Sequence, residues 1–222
     1  MSHDIYFDPD THVYLVDGQE VPSVTAILEP LHRSYSKVNP AVLEYAANRG
    51  RAVHEALEAY DLTGELEGYP EIEGYLRAYL EWQSIYRPVW IGVEQIVYHD
   101  YAGYIGTLDR IGYLNGTEFA VVDIKTSQAT KEALVSACLQ TEAYANAYAD
   151  QHGVPYECNP ARVDFKHPIK RYGLFLKADG TWRFQNCEEY EAKYNFNATD
   201  MFYDMLQMRK TIDRLLATKE KK

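Results

Sequence analysis

The strongest signal in the chain is the stretch at residues 104–127, which reads YIGTLDRIGYLNGTEFAVVDIKTS. It predicts a β-hairpin with Asp109 on the first strand and Asp123, Ile124 and Lys125 on the second. Side chains two residues apart on a strand point to the same face, so Asp123 and Lys125 project together while Ile124 points into a core. Two carboxylates beside one lysine, held on rigid strands, suit a divalent cation and a nucleophilic water.

The register of this hairpin determines whether the two aspartates can share one site. A two-residue turn at 115–116 would pair Asp109 with Val122 and put the aspartates on opposite faces. A three-residue loop at 114–116 would pair Asp109 with Val121 and put both aspartates on one face. A β-bulge would have the same effect. A shared site therefore requires a three-residue loop or a bulge.

The length and composition bound the class of protein. A chain of 222 residues predicts a single domain over 1–222, with an N-terminal hairpin and helices (about 1–88) packed on a core (about 89–222). No long apolar run predicts a membrane span, and the N-terminus lacks a secretory signal, so we expect a cytoplasmic location without a membrane partner. The three cysteines are widely spaced, which favours free thiols: Cys138, Cys158 and Cys187.

The order of the predicted elements favours a three-layer α/β/α fold around a central mixed β-sheet. We expect a small hairpin at 5–21, turning at Asp17-Gly18 or Pro9-Asp10, and a short helix capped by Ser23. Hydrophobic periodicity predicts four longer helices, at about 40–61, 70–86, 130–151 and 189–218. It also predicts strands near 90–99, 104–114 and 118–126, and a further hairpin over 171–187.

The net charge of −11 argues against binding nucleic acid through bulk charge. One segment is locally basic, and a single Asp164 interrupts it; its basic residues are Arg162, Lys166, His167, Lys170, Arg171 and Lys177. Such a run is either a track for a phosphate backbone or an ordinary solvated surface, and the sequence favours neither.

Short motifs follow one another along residues 23–150, and their order is more specific than any single motif. They are T-x-x-L at Thr25, G-x-x-x-H at Gly50, Glu94, G-x-x-D at Gly106, D-x-K at Asp123 and Q-x-x-x-Y at Gln140. This set resembles the PD-(D/E)XK nuclease superfamily, in its RecB-like, bacteriophage-type exonuclease branch. The resemblance implies a restriction-endonuclease-like version of the α/β/α fold.

The resemblance also implies roles for individual residues. His54 alone reads as a core histidine on the inward side of its helix, but the family implies a metal ligand, together with Asp109, Asp123 and Ile124. The implied catalytic set is Asp109, Asp123, Lys125, Glu94, Gln140 and Tyr144. Lys125 would orient the attacking water or stabilise the developing oxyanion. Glu94 would bind a second metal or a metal-bound water, and Gln140 and Tyr144 would support the site and touch DNA. Predicted DNA contacts are Arg49, Arg51, Lys166, Lys170 and Arg171.

The implied activity is that of a Mg²⁺- or Mn²⁺-dependent deoxyribonuclease, an exonuclease in recombination, DNA repair or end processing. Implied partners are DNA and a single-strand annealing or recombination protein, in a bacterial or phage-infected cell. We expect no iron–sulfur cluster, because relatives that carry one place a cysteine before the histidine motif, and here none precedes Cys138. Two alternatives stay open: a non-catalytic DNA-binding or assembly module, and a structure-specific endonuclease.

Overall fold

The computed structural model describes residues 3–8, 11, 13–31, 38–153 and 169–217. Its strands are β1 (Ile5–Asp8), β2 (Val13–Val16), β3 (Gln19–Val21), β4 (Val89–His99), β5 (Tyr104–Leu114), β6 (Glu118–Lys125), β7 (Lys170–Leu176) and β8 (Trp182–Asn186). Its helices are α1 (Val24–Leu28), α2 (Pro40–Thr63), α3 (Glu73–Tyr86), α4 (Lys131–His152), α5 (Cys187–Tyr194) and α6 (Ala198–Ala217). In this part of the chain, no helix combines the length and apolar character that a membrane crossing requires.

A five-stranded mixed sheet with the order β4-β5-β6-β7-β8 forms the middle layer. All neighbouring pairs are antiparallel except β6 and β7, which are parallel and are joined through α4. One face of the sheet packs against α2 and α3 around the buried Trp82, and the other packs against α1, α4 and α6 around Phe202. The predicted three-layer α/β/α fold is confirmed, with β6, the strand of the D-x-K motif, in the centre of the sheet.

The N-terminal segment forms a separate three-stranded sheet, β1-β2-β3, rather than the single hairpin that we expected. The chain turns at Asp17-Gly18, where both residues have positive φ (51° and 77°), a conformation that suits a tight hairpin turn. The alternative turn at Pro9-Asp10 lies outside the described residues. Tyr14 and Val16 pack this small sheet onto Ile105 of β5.

The prediction of one final helix over 189–218 was wrong. The chain forms two helices, α5 and α6, separated at Asn195, which has φ 53° and caps α5 through its backbone N–H. Asparagine tolerates this left-handed conformation better than most residues, and it ends a helix in the way that a C-cap glycine does. The hydrophobic pattern continues across the break, and for this reason periodicity alone did not reveal it.

The hairpin between β5 and β6 has the three-residue loop that a shared aspartate site requires. Leu114 pairs with Glu118, so the loop is 115–117, one residue later than the predicted 114–116. The positive φ values of Asn115 (49°) and Gly116 (76°) explain the shift, because both residues take the left-handed conformation inside the loop. The pairing continues to Arg110 with Val122, one step before Asp109 and Asp123. The parity of the register is therefore as predicted.

Candidate active site

Asp109 and Asp123 lie one residue beyond the last backbone pair of β5 and β6, Arg110 with Val122. Here a side chain replaces the backbone acceptor: Asp109 Oδ2 accepts a 2.6 Å hydrogen bond from the Ile124 N–H. This contact fixes the backbone of Ile124 between the two aspartates. Asp109 and Asp123 are 8% and 1% exposed, respectively, so their carboxylates are largely removed from water.

His54 reaches this end of the sheet from α2. Its Nε2 lies 3.1 Å from the Ile124 carbonyl oxygen, and its Nδ1 lies 3.3 Å from Glu94 Oε1 and 3.9 Å from Asp109 Oδ1. Burial lowers the pKa of His54, but the Asp109 and Glu94 carboxylates raise it by more, to about 9. The position of His54 on its helix alone predicts a core histidine, but the structure does not place it in an apolar core. It faces oxygen ligands.

Glu94 lies in β4 between the pairs that Val93 and Gln95 make with β5, and its backbone has φ 44°. A left-handed conformation at a non-glycine residue costs about 1–3 kcal/mol and persists only where the surroundings determine it. Here Arg110 is the determinant, because its Nη1 donates both to Glu94 Oε1 (3.0 Å) and to the Asp109 carbonyl (2.7 Å). In this backbone conformation, the Glu94 carboxylate faces His54.

Lys125 and Asp123 form a direct ion pair, with Lys125 Nζ 2.8 Å from Asp123 Oδ1. Burial raises the pKa of Asp123, Lys125 lowers it and Asp109 raises it again, so that it stands at about 6. For Lys125, burial lowers the pKa, but the Asp123 and Asp109 carboxylates raise it above its usual value. Lys125 is thus a cation at neutral pH, and 27% of its side chain is exposed at the mouth of the site.

Gln140 and Tyr144 lie one turn apart on α4, on the face that packs against the sheet. The Tyr144 ring lies against Gly106 of β5, where a Cβ would come within 2.8 Å of it. Burial raises the pKa of Tyr144 far above its normal value, and the charges of Asp123 and Asp109 raise it further, so the hydroxyl keeps its proton. Among the described residues, the buried Oε1 of Gln140 has no hydrogen-bond partner.

These residues can hold a divalent cation. Ligand atoms of His54, Glu94 and Asp109 all lie within 4.8 Å of one another. The Oδ2 of Asp123 is buried and has no hydrogen-bond partner in the described part of the chain, which leaves one carboxylate oxygen free for a metal. A set of carboxylate and carbonyl oxygens with one imidazole suits Mg²⁺ or Mn²⁺. Ile124 belongs to this set through its main-chain carbonyl.

Four of the five predicted DNA contacts lie among the described residues. Arg49 and Arg51 lie on α2, just before His54, and Arg51 is exposed and bonds Asn48. Lys170 is partly exposed at the start of β7, and Lys166 lies outside the described residues, as do Arg162 and His167. The contacts that the structure describes, Arg49, Arg51, Lys170 and Arg171, come from two elements, α2 and β7.

The prediction for Arg171 was wrong. Its side chain is 7% exposed, and its guanidinium contacts Glu142, Glu188 and Glu191 at 2.9, 3.3 and 2.8 Å. A strand residue inside the sheet directs its side chain into the helix layer, and three carboxylates compensate the charge there. This guanidinium is not available to a phosphate.

Our reading of the sequence missed the support behind Glu94. Arg110 is completely buried and donates through Nε to Asp61 Oδ2 at 2.6 Å. Asp61 in turn accepts a 2.7 Å hydrogen bond from the Tyr79 hydroxyl, which itself accepts one from the Trp90 indole N–H. The signal in the sequence was an arginine inside an apolar strand, TLDRIGYL, because such a charge requires a buried partner.

The site and the fold agree with the result of a family comparison. The family model of the PD-(D/E)XK nuclease superfamily matches residues 67–217. The chain belongs to this superfamily, whose members are usually metal-dependent nucleases. The match includes Glu94, Asp109, Asp123 and Lys125, while His54 precedes it. A search of curated proteins found no match.

Proposed function

We propose that this protein is a Mg²⁺- or Mn²⁺-dependent DNA exonuclease of the RecB-like branch. The observation that carries the proposal is the convergence of His54, Glu94 and Asp109 beside a buried Asp123 oxygen that has no hydrogen-bond partner among the described residues. A carboxylate desolvated in this way is costly unless something binds it, and a cation would offset that cost. Lys125 next to it supplies a positive charge outside the ligand set.

In this proposal, His54, Asp109, Asp123 and the Ile124 carbonyl would hold the cation, which would supply an activated water and charge stabilisation on the phosphodiester. Lys125 lies on the exposed side of Asp123 and orients the attacking water or binds the developing oxyanion. Glu94 holds the His54 ring through Nδ1, so that the ring keeps one orientation. Arg110 keeps Glu94 in place from behind.

The test is digestion of end-labelled linear duplex and single-stranded DNA with increasing Mg²⁺ or Mn²⁺. We expect mononucleotides or short products from the ends, and no nicking of closed-circular DNA of the same sequence. Products that appear with circular DNA would favour a structure-specific endonuclease instead. Tight binding without cleavage at every metal concentration would favour a non-catalytic DNA-binding or assembly module.

The retention of Asp109, Asp123 and Lys125 in one hydrogen-bonded arrangement favours the enzyme over the module. A role in recombination, repair or end processing, with a single-strand annealing or recombination protein as partner, is part of the proposal and comes from the resemblance to bacteriophage-type exonucleases. The proposed location, the cytoplasm of a bacterial or phage-infected cell, comes from the same resemblance.

A further inference from the structure

Helix α2 carries His54 to the candidate metal site, yet little of this helix is packed. Two of its 24 residues are buried, Val53 and Leu57, and residues 41–45 are all exposed. Hydrophobic burial is not directional, so it holds the helix against the sheet but defines its shift along its own axis poorly. The position of His54 therefore requires a second, directional constraint.

Asp61 supplies this constraint from the same face of α2. It follows His54 by seven residues, which is nearly two full turns and about 10.5 Å along the helix axis at 1.5 Å per residue. Asp61 Oδ2 accepts a 2.6 Å hydrogen bond from Arg110 Nε, and both side chains are 0% exposed. A charge-assisted hydrogen bond has a preferred geometry, so it removes the freedom that the apolar contacts leave.

Arg110 connects Asp61 to the candidate active site. Its Nη1 donates to Glu94 Oε1 at 3.0 Å and to the Asp109 carbonyl at 2.7 Å. Glu94 Oε1 in turn lies 3.3 Å from His54 Nδ1. The contacts therefore form a closed circuit, which leaves α2 at Asp61, passes through Arg110 and Glu94, and returns to α2 at His54. Two points of one helix are attached to the same arginine, one directly and one through Glu94.

The Asp61 carboxylate is itself held in one orientation. Its Oδ2 also accepts a 2.7 Å hydrogen bond from the Tyr79 hydroxyl, and its Oδ1 accepts one of 3.4 Å from the Gln83 amide. The Trp90 indole N–H donates to the Tyr79 hydroxyl at 3.2 Å and fixes the direction in which that hydroxyl donates. Since Tyr79 and Gln83 belong to α3, the carboxylate has a rigid support outside α2.

We propose that Asp61 is a positioning residue for the metal site, which sets the shift of α2 through Arg110 and so holds His54 in place. The inference rests on the proposed nuclease function and deepens it. His54 Nε2 lies 3.1 Å from the Ile124 carbonyl oxygen, and both atoms would have to reach one cation. Groups of such a site must be held within about 0.5 Å of the productive geometry. A small shift of α2 would therefore weaken metal binding.

The test measures binding of Mn²⁺ alone, without DNA, by the loss of the EPR signal of the free ion. Asp61→Asn keeps the shape of the side chain and removes the charge that holds Arg110. It should weaken Mn²⁺ binding on the order of tenfold, as the loss of a group behind a metal ligand does. Glu118→Gln is the matched control, because Glu118 also accepts a 2.7 Å hydrogen bond from a tyrosine hydroxyl, that of Tyr172, at the other end of β6. It should change Mn²⁺ affinity less than about twofold.

A double-mutant cycle shows whether Asp61 acts through Arg110. In an Arg110→Met background the connection is already broken, so Asp61→Asn should change Mn²⁺ affinity there less than about twofold. A tenfold loss in both backgrounds would overturn the proposed route through Arg110. If Asp61→Asn does not fold, as judged by thermal unfolding, Tyr79→Phe takes its place. It removes one donor to Asp61 and should weaken Mn²⁺ binding by a smaller factor, about threefold.

Stability and cleavage separate this inference from its alternatives. Asp61→Asn that unfolds at a lower temperature but binds Mn²⁺ as tightly as the parent overturns the proposal, because Asp61 then serves the fold alone. In cleavage assays, Asp61→Asn should need about ten times more Mg²⁺ for half-maximal rate, with the maximal rate within about threefold of the parent. A parent protein that binds Mn²⁺ but cleaves nothing would refute the nuclease proposal and leave the role of Asp61 intact. A parent that binds no Mn²⁺ would refute both.

Discussion

Two clusters of charged side chains include residues on the face of the sheet that packs against α4, and their contacts are organised differently. In the Arg171 cluster, formed by Arg171, Glu142, Glu188 and Glu191, one guanidinium contacts all three glutamates within 3.3 Å. Glu142 also accepts from the Asn146 amide and the Thr199 hydroxyl, and Glu191 accepts from a backbone N–H at the start of α6. The charges of this cluster join α4, α5 and β7 together.

The active-site cluster also sets three carboxylates, those of Glu94, Asp109 and Asp123, against a lysine and a histidine. Lys125, however, contacts one oxygen of Asp123, and the other oxygen has no partner among the described residues. His54 Nδ1 and Asp109 Oδ1 stand 3.9 Å apart, too far for a hydrogen bond. The active-site cluster differs because its groups surround a common point: ligand atoms of His54, Glu94 and Asp109 all lie within 4.8 Å of one another, an arrangement that suits a cation.

The largest effect on stability should come from the Arg171 cluster. Arg171→Met leaves three carboxylates without their shared cation and should lower the free energy of unfolding by about 3–5 kcal/mol. Urea denaturation measures this loss, with Arg183→Met on the exposed part of β8 as the control, expected within about 0.5 kcal/mol of the parent. DNA affinity of the folded variant should not change. A stable Arg171→Met protein with weak DNA binding would reverse the comparison.

The active-site cluster should show the opposite behaviour, with a large effect on activity and little loss of stability. Asp123→Asn should reduce cleavage by about 10²–10³-fold or more, because charge stabilisation of the transition state depends on this carboxylate. Cleavage of labelled DNA under saturating metal measures it. Full activity in the purified variant would remove Asp123 from the mechanism.

The difference in stability between Asp123→Asn and the parent should depend on pH. A carboxyl whose pKa rises on folding opposes folding in its ionised form, and this cost is present at high pH and vanishes below the unfolded pKa. The pKa of Asp123 is raised from 3.8 to about 6. The variant should therefore unfold at the same or a higher urea concentration than the parent at pH 7 and above, and any gain should disappear as the pH falls through 6 to about 4.

A smaller effect should follow from the support behind the site. Glu94→Gln removes the charge that faces both His54 and Arg110, and the loss of such a supporting group typically lowers metal affinity by about 10–100-fold. Mg²⁺ titration of cleavage should show the shift, with the maximal rate recovered at high Mg²⁺. A rate that stays low at every metal concentration would place Glu94 among the groups that act directly on the reaction.

The fold and the central pair of aspartates were accessible from the sequence, because strand alternation and the parity of a short loop determine which side chains share a face. The position of the loop was not, since Asn115 and Gly116 can take left-handed conformations in either frame. The break at Asn195 was hidden for a related reason. A continuous hydrophobic pattern carries no information about one residue with positive φ.

The sequence also could not show that Arg49 and Arg171 have different surroundings. Both stand near polar neighbours in the chain, and only the packing of distant elements decides which carboxylates approach a guanidinium. The glutamates around Arg171 come from α4 and α5, up to 29 residues before it and 20 after it in the chain. Arg49 meets Tyr75 of α3 instead. Charge in the sequence therefore located the basic residues but did not distinguish structural roles from binding roles.

The smallest predicted effect tests how tightly the active-site side of α2 is packed. A Cβ at Gly50 would meet the Thr126 hydroxyl at 3.4 Å, close to ordinary contact, so Gly50→Ala should stabilise the helix by about 0.5–1 kcal/mol. Gly74→Ala on α3 is the opposite case, because its Cβ would lie 1.8 Å from the Ala178 carbonyl oxygen, and it should destabilise the protein. Thermal unfolding compares the two variants. If Gly50→Ala gains stability but loses DNA affinity, the glycine leaves room for the DNA strand beside Thr126 and the active site.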